Sequence, residues 1–505
     1  MILDDKDQHR DGLTLDDLFR QSAQRQPDSL ALVDPPNREA FMDTRPRQFT
    51  YAQADRAISA IGERLRSLGL SPDTVVGLQL PNVAESVLAI LGILRAGMIA
   101  APLPLLWGRR ECVEALTRVS ARALITCGRV GATDHAILGR EIAAETFTIR
   151  LVCAIGRDLP DGVIALDQPE AESAARMPPE PRRGDPAAHV AIITFDMAVD
   201  GIVPMARSHA ELFSGGIAAV LETGLKADRA ILSALPLHSF AGLALALMPW
   251  LITGGTLALH HPFAPDIFAA QVNGRACELA IVPGPLAGAM ADMLDGGFPK
   301  KIIAAWRAPE RFAASPLRNR SDIDIADAIV FGEIGLILRR RDGGGTSASL
   351  PTGPIRAPQA GADGMVIAEL RRTDRGTLAM RSPMIPRHPF PPHAQKDFAP
   401  SMRIEADGFV DTGYGCHAAA DSSTLALSHA PAGLVSIGGY RFALSALQRM
   451  VAALDPRATL AALPDAVAGH RLAGSSADNA GLRRALEQQG ANPLLIGAFR
   501  DRAAA

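Results

Sequence analysis

Apolar and polar positions along this chain follow two periods, one helical and one strand-like, that alternate in a regular order. In "LTLDDLFRQSAQRQPDSLALVD" the apolar residues recur at helical spacing, break at Asp28 and Ser29, and resume as a short strand. "FTYAQADRAISAIGERLRSLGL" repeats the helical spacing and stops at Gly69, and "TVVGLQL" reads as a β-branched strand. "NVAESVLAILGILRAG" is a further helix, begun by Asn82 and stopped by Gly97. Strand-like runs return in "ARALITC", "RLVCAIG" and "AHVAIITF". Strands that alternate with helices predict parallel sheets covered by helices.

The texture then changes twice. Leu166 to Pro186 is rich in proline and charge and reads as a surface linker, after which apolar strands and helices continue to about "AIVFGEIGLIL". Beyond residue 337 the loop-like "RRRDGGGTSASLPTGPIRAPQAGADG" and short strands such as "MVIAEL" and "GTLAMR" predict a small β-rich subdomain. A last unit ends in "LRRALEQQGANPLLIGAFRDR", read as a helix followed by a short strand. The expected fold class is α/β: a large N-terminal domain of layered, mainly parallel sheets with helices, a small β-rich subdomain, and a small α+β C-terminal domain.

Composition narrows the function classes. At 505 residues the chain is long enough for one large multi-layer domain and a smaller one, with 48% apolar and 21% charged residues in the globular range. A net charge of −3 with interspersed signs leaves no footprint for nucleic acid or an anionic membrane. Five scattered cysteines without CxxC spacing read as reduced thiols, and the polar start "MILDDKDQHRDG" lacks a signal-like apolar core. The expected location is the cytoplasm. The runs "SVLAILGILRAGMIAAPLPLLW" and "AGLALALMPWLITGGTLAL" carry an internal Arg or paired Gly and read as core rather than membrane spans.

Several segments, in preserved order over roughly residues 13 to 455, resemble the adenylate-forming (AMP-binding) superfamily of acyl-CoA synthetases, luciferases and peptide-synthetase adenylation domains. They are the stretch from "FTYAQADRAISAIGERL" to "AGMIAAPLPL", then "LPLHSFAGLALALMPWLITGGTLAL" with "AIVPGPL", then "DGFVDTGY" and "IGGYRFALSALQ". The resemblance implies residues 1–413 as the AMP-binding-like domain, with 337–413 its β-rich subdomain, and 414–505 as a shortened lid-like domain. It also implies a two-step ligase in carboxylic or fatty acid metabolism. A carboxylate and ATP give an acyl-adenylate and pyrophosphate, and a thiol such as that of CoA then displaces AMP. Such chemistry needs phosphate charge neutralised by Lys, backbone N–H groups and Mg²⁺.

This chain departs from the family's pattern at those positions. The family's phosphate loop is rich in Ser, Thr and Gly and closes with Pro-Lys-Gly before a Ser/Thr-His pair. Anchored on Ser208-His209, the stretch "TFDMAVDGIVPMARSH" keeps Thr194 but places Ile202, Val203 and Pro204 at Pro-Lys-Gly. Asp196 and Asp200 read as solvated turn acids or, in a new role, as metal ligands. "FGEIG" keeps Phe331 for stacking on adenine and Gly332 for the turn, while Ile334 and Gly335 replace the hydroxyl and the Mg²⁺-binding carboxylate; Glu333 falls two residues early. "DGFVDTGY" keeps Thr412 and Gly413 but has Tyr414 where an Asp would hold the ribose hydroxyls, which a phenol cannot match as an acceptor. "HAPAG" lacks the hinge Arg and Asp, and no lysine follows Lys396, so only Arg500 or Arg502 offers terminal charge.

What persists is the other end of the site. His238, Ser239, Phe240 and Gly242 stand where the family lines its acyl pocket, and Gly438 and Gly439 where a loop passes near the active site during thioester formation. A core histidine and plain turn glycines are the alternative readings. Three functions follow: a catalytically degenerate pseudoenzyme that binds an acyl or aryl carboxylate, CoA or a carrier protein; an active acyl- or aryl-CoA ligase, using ATP, Mg²⁺ and CoA, with an unconventional ATP site; or a scaffold for an active ligase.

Overall fold

Local chemistry starts the helices where the pattern predicts. Thr14 caps Leu15–Arg25 and Thr50 caps Tyr51–Ser67, each in a reciprocal capping box with the side chain three residues on. The helix Ala84–Arg95 is buried on every face, as its run of aliphatic residues requires. Its first residue is preceded by Val83 rather than by an Asn82 cap, because the Asn82 amide instead donates to the carbonyls of Ser233 and His260 at 3.2 and 3.3 Å. Gly97, at φ +76°, provides the turn after it.

A computed structural model describes residues 12–166, 177–180, 184–294, 297–314, 323–341, 350–358, 364–387 and 404–500. Four sheets carry the architecture. The eight-stranded sheet runs, edge to edge, Gly335–Arg340, Asp324–Phe331, Lys301–Trp306, Leu279–Pro283, Ile231–Ser233, Leu257–Leu259, Leu30–Val33 and Gln48–Thr50. Its pairings are parallel except at the two edges. The seven-stranded sheet runs Gly201–Ser208, Val190–Ala198, Ile99–Pro102, Val75–Leu78, Ala123–Cys127, Leu151–Ile155 and Ile164–Ala165, parallel apart from its first pair. The expected parallel, helix-covered sheets are thus present.

The β-rich subdomain is a six-stranded antiparallel sheet built from residues 350–429, with Val410–Ala418 near its centre. The expected boundary between residues 413 and 414 falls inside that strand. A four-stranded sheet of residues 434–475, with the helices Leu444–Leu454 and Asn479–Gln488, forms the C-terminal unit. One apolar core joins the three N-terminal sheets, and the C-terminal unit has its own.

Two readings change. The segment expected to end in a short strand forms helical turns, Pro493–Ile496 and Gly497–Phe499. Asn492 caps the first through the N–H of Leu494 at 2.8 Å, and Pro493 suits an initial helical position. The linker from Leu166 to Pro186 lies largely outside the described residues, but Leu166 and Met177 are buried in the core. Among the described residues, no helix is long and apolar enough to cross a membrane. "AGLALALMPWL" instead forms a buried helical run that widens to π geometry over Leu243–Leu247.

Candidate active site

The stretch that aligns with the family's phosphate loop is a long hairpin. Val190–Ala198 and Gly201–Ser208 pair from Val190↔Ser208 to Ala198↔Gly201, leaving only Val199 and Asp200 as the turn. The physical reason is composition. "AIITFDMA" and "GIVPMARS" are apolar and β-branched, and a continuous ladder satisfies backbone N–H groups that a glycine-rich loop would leave for a ligand. Asp200 is exposed at the turn, as a solvated acid would be, whereas Asp196 is buried.

All four sheets converge on Asp196. It projects from the seven-stranded sheet. The N–H of Glu333, from the turn that joins the edge pair of the eight-stranded sheet, donates to its Oδ2 at 2.9 Å. Arg441, on the C-terminal strand Tyr440–Ala443, donates through Nη1 to both carboxylate oxygens at 2.8 and 2.9 Å. Its Nη2 donates to the hydroxyl of Tyr414, on the central strand of the six-stranded sheet, at 2.9 Å. Asp196 is not the solvated turn acid read from sequence but a buried ion-pair partner, and among the described residues no group of three His, Cys, Asp or Glu is arranged to hold a metal.

Electrostatics follow from burial. Burial opposes the charge of Arg441, but Asp196 and Tyr414 outweigh it and raise its pKa, so the guanidinium stays charged. Burial, with the Asp196 charge beside it, pushes Glu333 up to about 7. Glu333 Oε2 accepts the N–H of Phe240 at 2.7 Å, and burial raises Tyr414. Gly332, at φ +57°, is required here: a Cβ would collide with Arg441 and Asp196.

The remaining nucleotide-side candidates are held by neighbours in the protein. Phe331 is fully buried and meets Tyr414 edge-on at 5.7 Å between ring centres. Thr194 accepts from Arg207 at 3.3 Å, and Thr412 donates to the Leu378 carbonyl at 2.8 Å. Gly413, at φ +74°, donates to Asp411 at 2.9 Å. Lys396 and Arg502 lie outside the described residues, and Arg500 is exposed.

At the acyl end, His238 lines a cavity together with Trp107, Phe195, Arg307, Glu333 and Tyr440. The His238 ring stacks on Tyr440 at 5.3 Å and 11°, and burial with Arg307 nearby keeps it neutral. Its Nε2 is buried without a hydrogen-bond partner among the described residues. Ser239 and Phe240 serve the local turn: Ser239 caps it by accepting from Gly242 at 3.3 Å, and Phe240 lies 3.8 Å beneath the Arg207 guanidinium. Gly242 admits no Cβ against the Pro236 carbonyl. Gly439 lines the cavity beside Arg307, while Gly438 has open space around its Cα. The cavity volume is about 30 Å³. That is room for one or two waters, far below the roughly 300 Å³ at which small-molecule sites begin. In this arrangement the cavity has no room for a nucleotide or an aryl carboxylate.

Besides Arg441, four arginines organise the site and its attachments without having been singled out from sequence. Arg207, fully buried, donates to Thr194, to the carbonyls of Glu333 and Ile334, and to that of Met384 at 3.2 Å, so it pins the 331–335 turn. Burial lowers its pKa to about 10, with Glu333 opposing. Arg307 sits 5.5 Å from the Tyr440 ring centre. Arg311 donates to the Asp465 and Gly469 carbonyls, and Arg109 to that of Gln488 at 2.8 Å, so the C-terminal unit is also clasped away from Arg441. The one sequence signal was position: Arg207 precedes Ser208-His209, and Arg441 follows the Gly438-Gly439 pair.

Comparison with known proteins agrees with this architecture. The family model "AMP-binding enzyme" matches residues 19–195, ending one residue before Asp196. The 2-hydroxy-7-methoxy-5-methyl-1-naphthoate–CoA ligase of Streptomyces carzinostaticus is 30% identical over 283 residues, covering 54% of this chain and 49% of that one. The salicyl-AMP ligase / salicyl-S-ArCP synthetase of Mycobacterium tuberculosis is 27% identical over 280 residues, covering 54% and 47%. The chain thus spans about half the length of these curated relatives. Among solved structures, the amide bond synthetase McbA from Marinactinospora thermotolerans superposes with a TM-score of 0.70 at 15% identity, covering 96% of this chain and 94% of that one. The apo structure of Mycobacterium smegmatis MbtA gives 0.66 at 22%, covering 96% and 90%. Residues 19–195 thus match the AMP-binding enzyme family in sequence, and the chain as a whole has the fold of adenylate-forming enzymes.

Proposed function

We propose that this chain is a non-adenylating member of its superfamily. It takes up a small aryl or acyl carboxylate, free or as a CoA or carrier-protein thioester, at the His238 end, where the rings of Trp107, His238 and Tyr440 that line the small cavity part to admit it, and keeps the nucleotide end closed with its own side chains. The observation that carries the reading is the Asp196–Arg441–Tyr414 cluster. A buried carboxylate stands on the segment that aligns with the phosphate loop, and like charge opposes phosphate there. Among the described residues, the guanidinium that reaches it, that of Arg441, is already paired. An aromatic ligand is favoured by the walls of the cavity, Trp107, Phe195 and Tyr440, whose flat faces suit a ring, and the two curated relatives are named for naphthoate and salicylate. We further take the C-terminal unit to begin near residue 434, where the four-stranded sheet starts, and to act as a docked lid.

Calorimetric titration of the full chain with Mg-ATP, then with salicylate, tests the reading. The expected result is no heat with ATP up to millimolar concentration and saturable heat with salicylate alone. Micromolar ATP binding would overturn it. A second reading, an active aryl-CoA ligase with an unconventional ATP site, draws support from Glu333, a carboxyl with pKa about 7 beside the cavity. AMP release on adding ATP, Mg²⁺ and salicylate would establish that reading in place of the first.

A further inference from the structure

The Asp196 carboxylate is held in the way a bound anion is held. Four hydrogen bonds converge on its two oxygens. Two come from Arg441 Nη1, one from the backbone N–H of Glu333 to Oδ2, and one from the N–H of Met197 to Oδ1 at 2.8 Å. The donors belong to three separate segments: the hairpin strand, the 331–335 turn and the C-terminal unit. Arg207 braces the turn from behind by donating to the Glu333 and Ile334 carbonyls. Gly332 is bare on the side facing the carboxylate, where any Cβ would close the space. The hydroxyl of Tyr414 stands on the other guanidinium nitrogen and orients it. Preorganised donors of this kind, buried and charge-assisted, recognise an oxyanion.

We infer that this cluster is an oxyanion receptor already filled by its own chain: Asp196 is a tethered occupant, and a site shaped for a free carboxylate or phosphate anion opens when that side chain is removed. The inference rests on the reading that the nucleotide end is filled from within. A tethered group competes at a high effective concentration, so the intact chain holds free anions only weakly. The receptor is complete only while the C-terminal unit is docked, because Arg441 belongs to that unit. Anion binding and docking are therefore linked, and each stabilises the other.

The test uses the full chain with Asp196→Ala, melted in sodium formate, sodium phosphate and sodium chloride at equal ionic strength. Formate has the size of the group removed, and phosphate must also use the adjoining cavity, so the two arms separate a carboxylate receptor from a larger oxyanion receptor. The variant is expected to melt below the parent chain, and formate, phosphate or both to recover at least half of the loss while chloride does not. The double variant Asp196→Ala/Arg441→Gln is expected to lose that recovery. Equal recovery in chloride, recovery that survives in the double variant, or an Asp196→Ala chain as stable as the parent would overturn the receptor. If Asp196→Ala is insoluble, Asp196→Ser carries the same comparison, and failure of both to fold in formate also counts against it. Mg-ATP binding by the parent chain would remove the functional reading above yet leave this result standing, and absent anion recovery would do the reverse.

Discussion

Arg95 and Arg441 are both guanidiniums taken out of water and met by carboxylates, yet they hold different things together. Arg95 donates to Asp16 at 2.7 and 2.9 Å, to Asp55 at 2.7 Å and to Ser59 at 2.9 Å, tying three helices of one core to one another. Arg441 spans 245 positions to reach Asp196 and joins the C-terminal unit, with its separate core, to the rest of the molecule. The chemistry of the two pairs is alike, and only the identity of the joined parts differs. Loss of the first removes a piece of the fold; loss of the second releases one folded unit from another and uncovers the site between them.

That contrast is open to direct attack. Arg95→Ala takes from buried Asp16 the guanidinium that pairs with it, so it should cost about 3–5 kcal/mol and lower the whole unfolding transition in urea. Arg441→Gln should cost less, about 1.5–3 kcal/mol for the charge-assisted bonds, and the loss should fall on docking. Limited proteolysis should then cut between the units while the transition of the large core stays in place. A single shifted transition for both variants would erase the distinction.

A smaller change sharpens it. Gly332→Ala forces a side chain into a left-handed backbone, at roughly 1–2 kcal/mol, and pushes on Arg441. It should reproduce the proteolytic pattern of Arg441→Gln without touching either charge. A further effect concerns pH. Glu333 and Glu111 are both raised by burial from 4.5 to about 7. A carboxyl raised on folding contributes stability that is complete below pH 4.5 and lost as pH rises through about 7. Glu333→Gln should therefore flatten the fall in urea midpoint between those pH values, leaving the part due to Glu111. An unchanged slope would place Glu333 in a more polar setting than the site describes.

Much of the fold was legible because its signals are local. The caps at Thr14 and Thr50, the buried helix Ala84–Arg95 and the strands of the seven-stranded sheet each depend on residues within a few positions of one another. The readings that changed were also local, and a competing local signal explains them: Asn492-Pro493 starts a helical turn where a strand was expected, and two apolar runs zip into a hairpin where a loop was expected. In the site, His238 stands in the cavity wall as the motif suggested, while Ser239 and Phe240 serve the turn beneath it.

The sequence by itself determined that the residues suited to gripping phosphate are absent: the loop glycines, the lysines and the ribose-binding carboxylate are missing from their expected places. It could not reveal what stands there instead. Asp196, Tyr414 and Arg441 stand on three sheets and Glu333 on a turn at the edge of a fourth, and nothing in the spacing between them indicates that they meet. Their meeting is a product of tertiary packing, which brings the sheet edges to one point and removes water from it. Asp196, read as a solvated turn acid or metal ligand, is there the anchor of a buried ion pair, because a carboxylate withdrawn from solvent must find its donors within the protein.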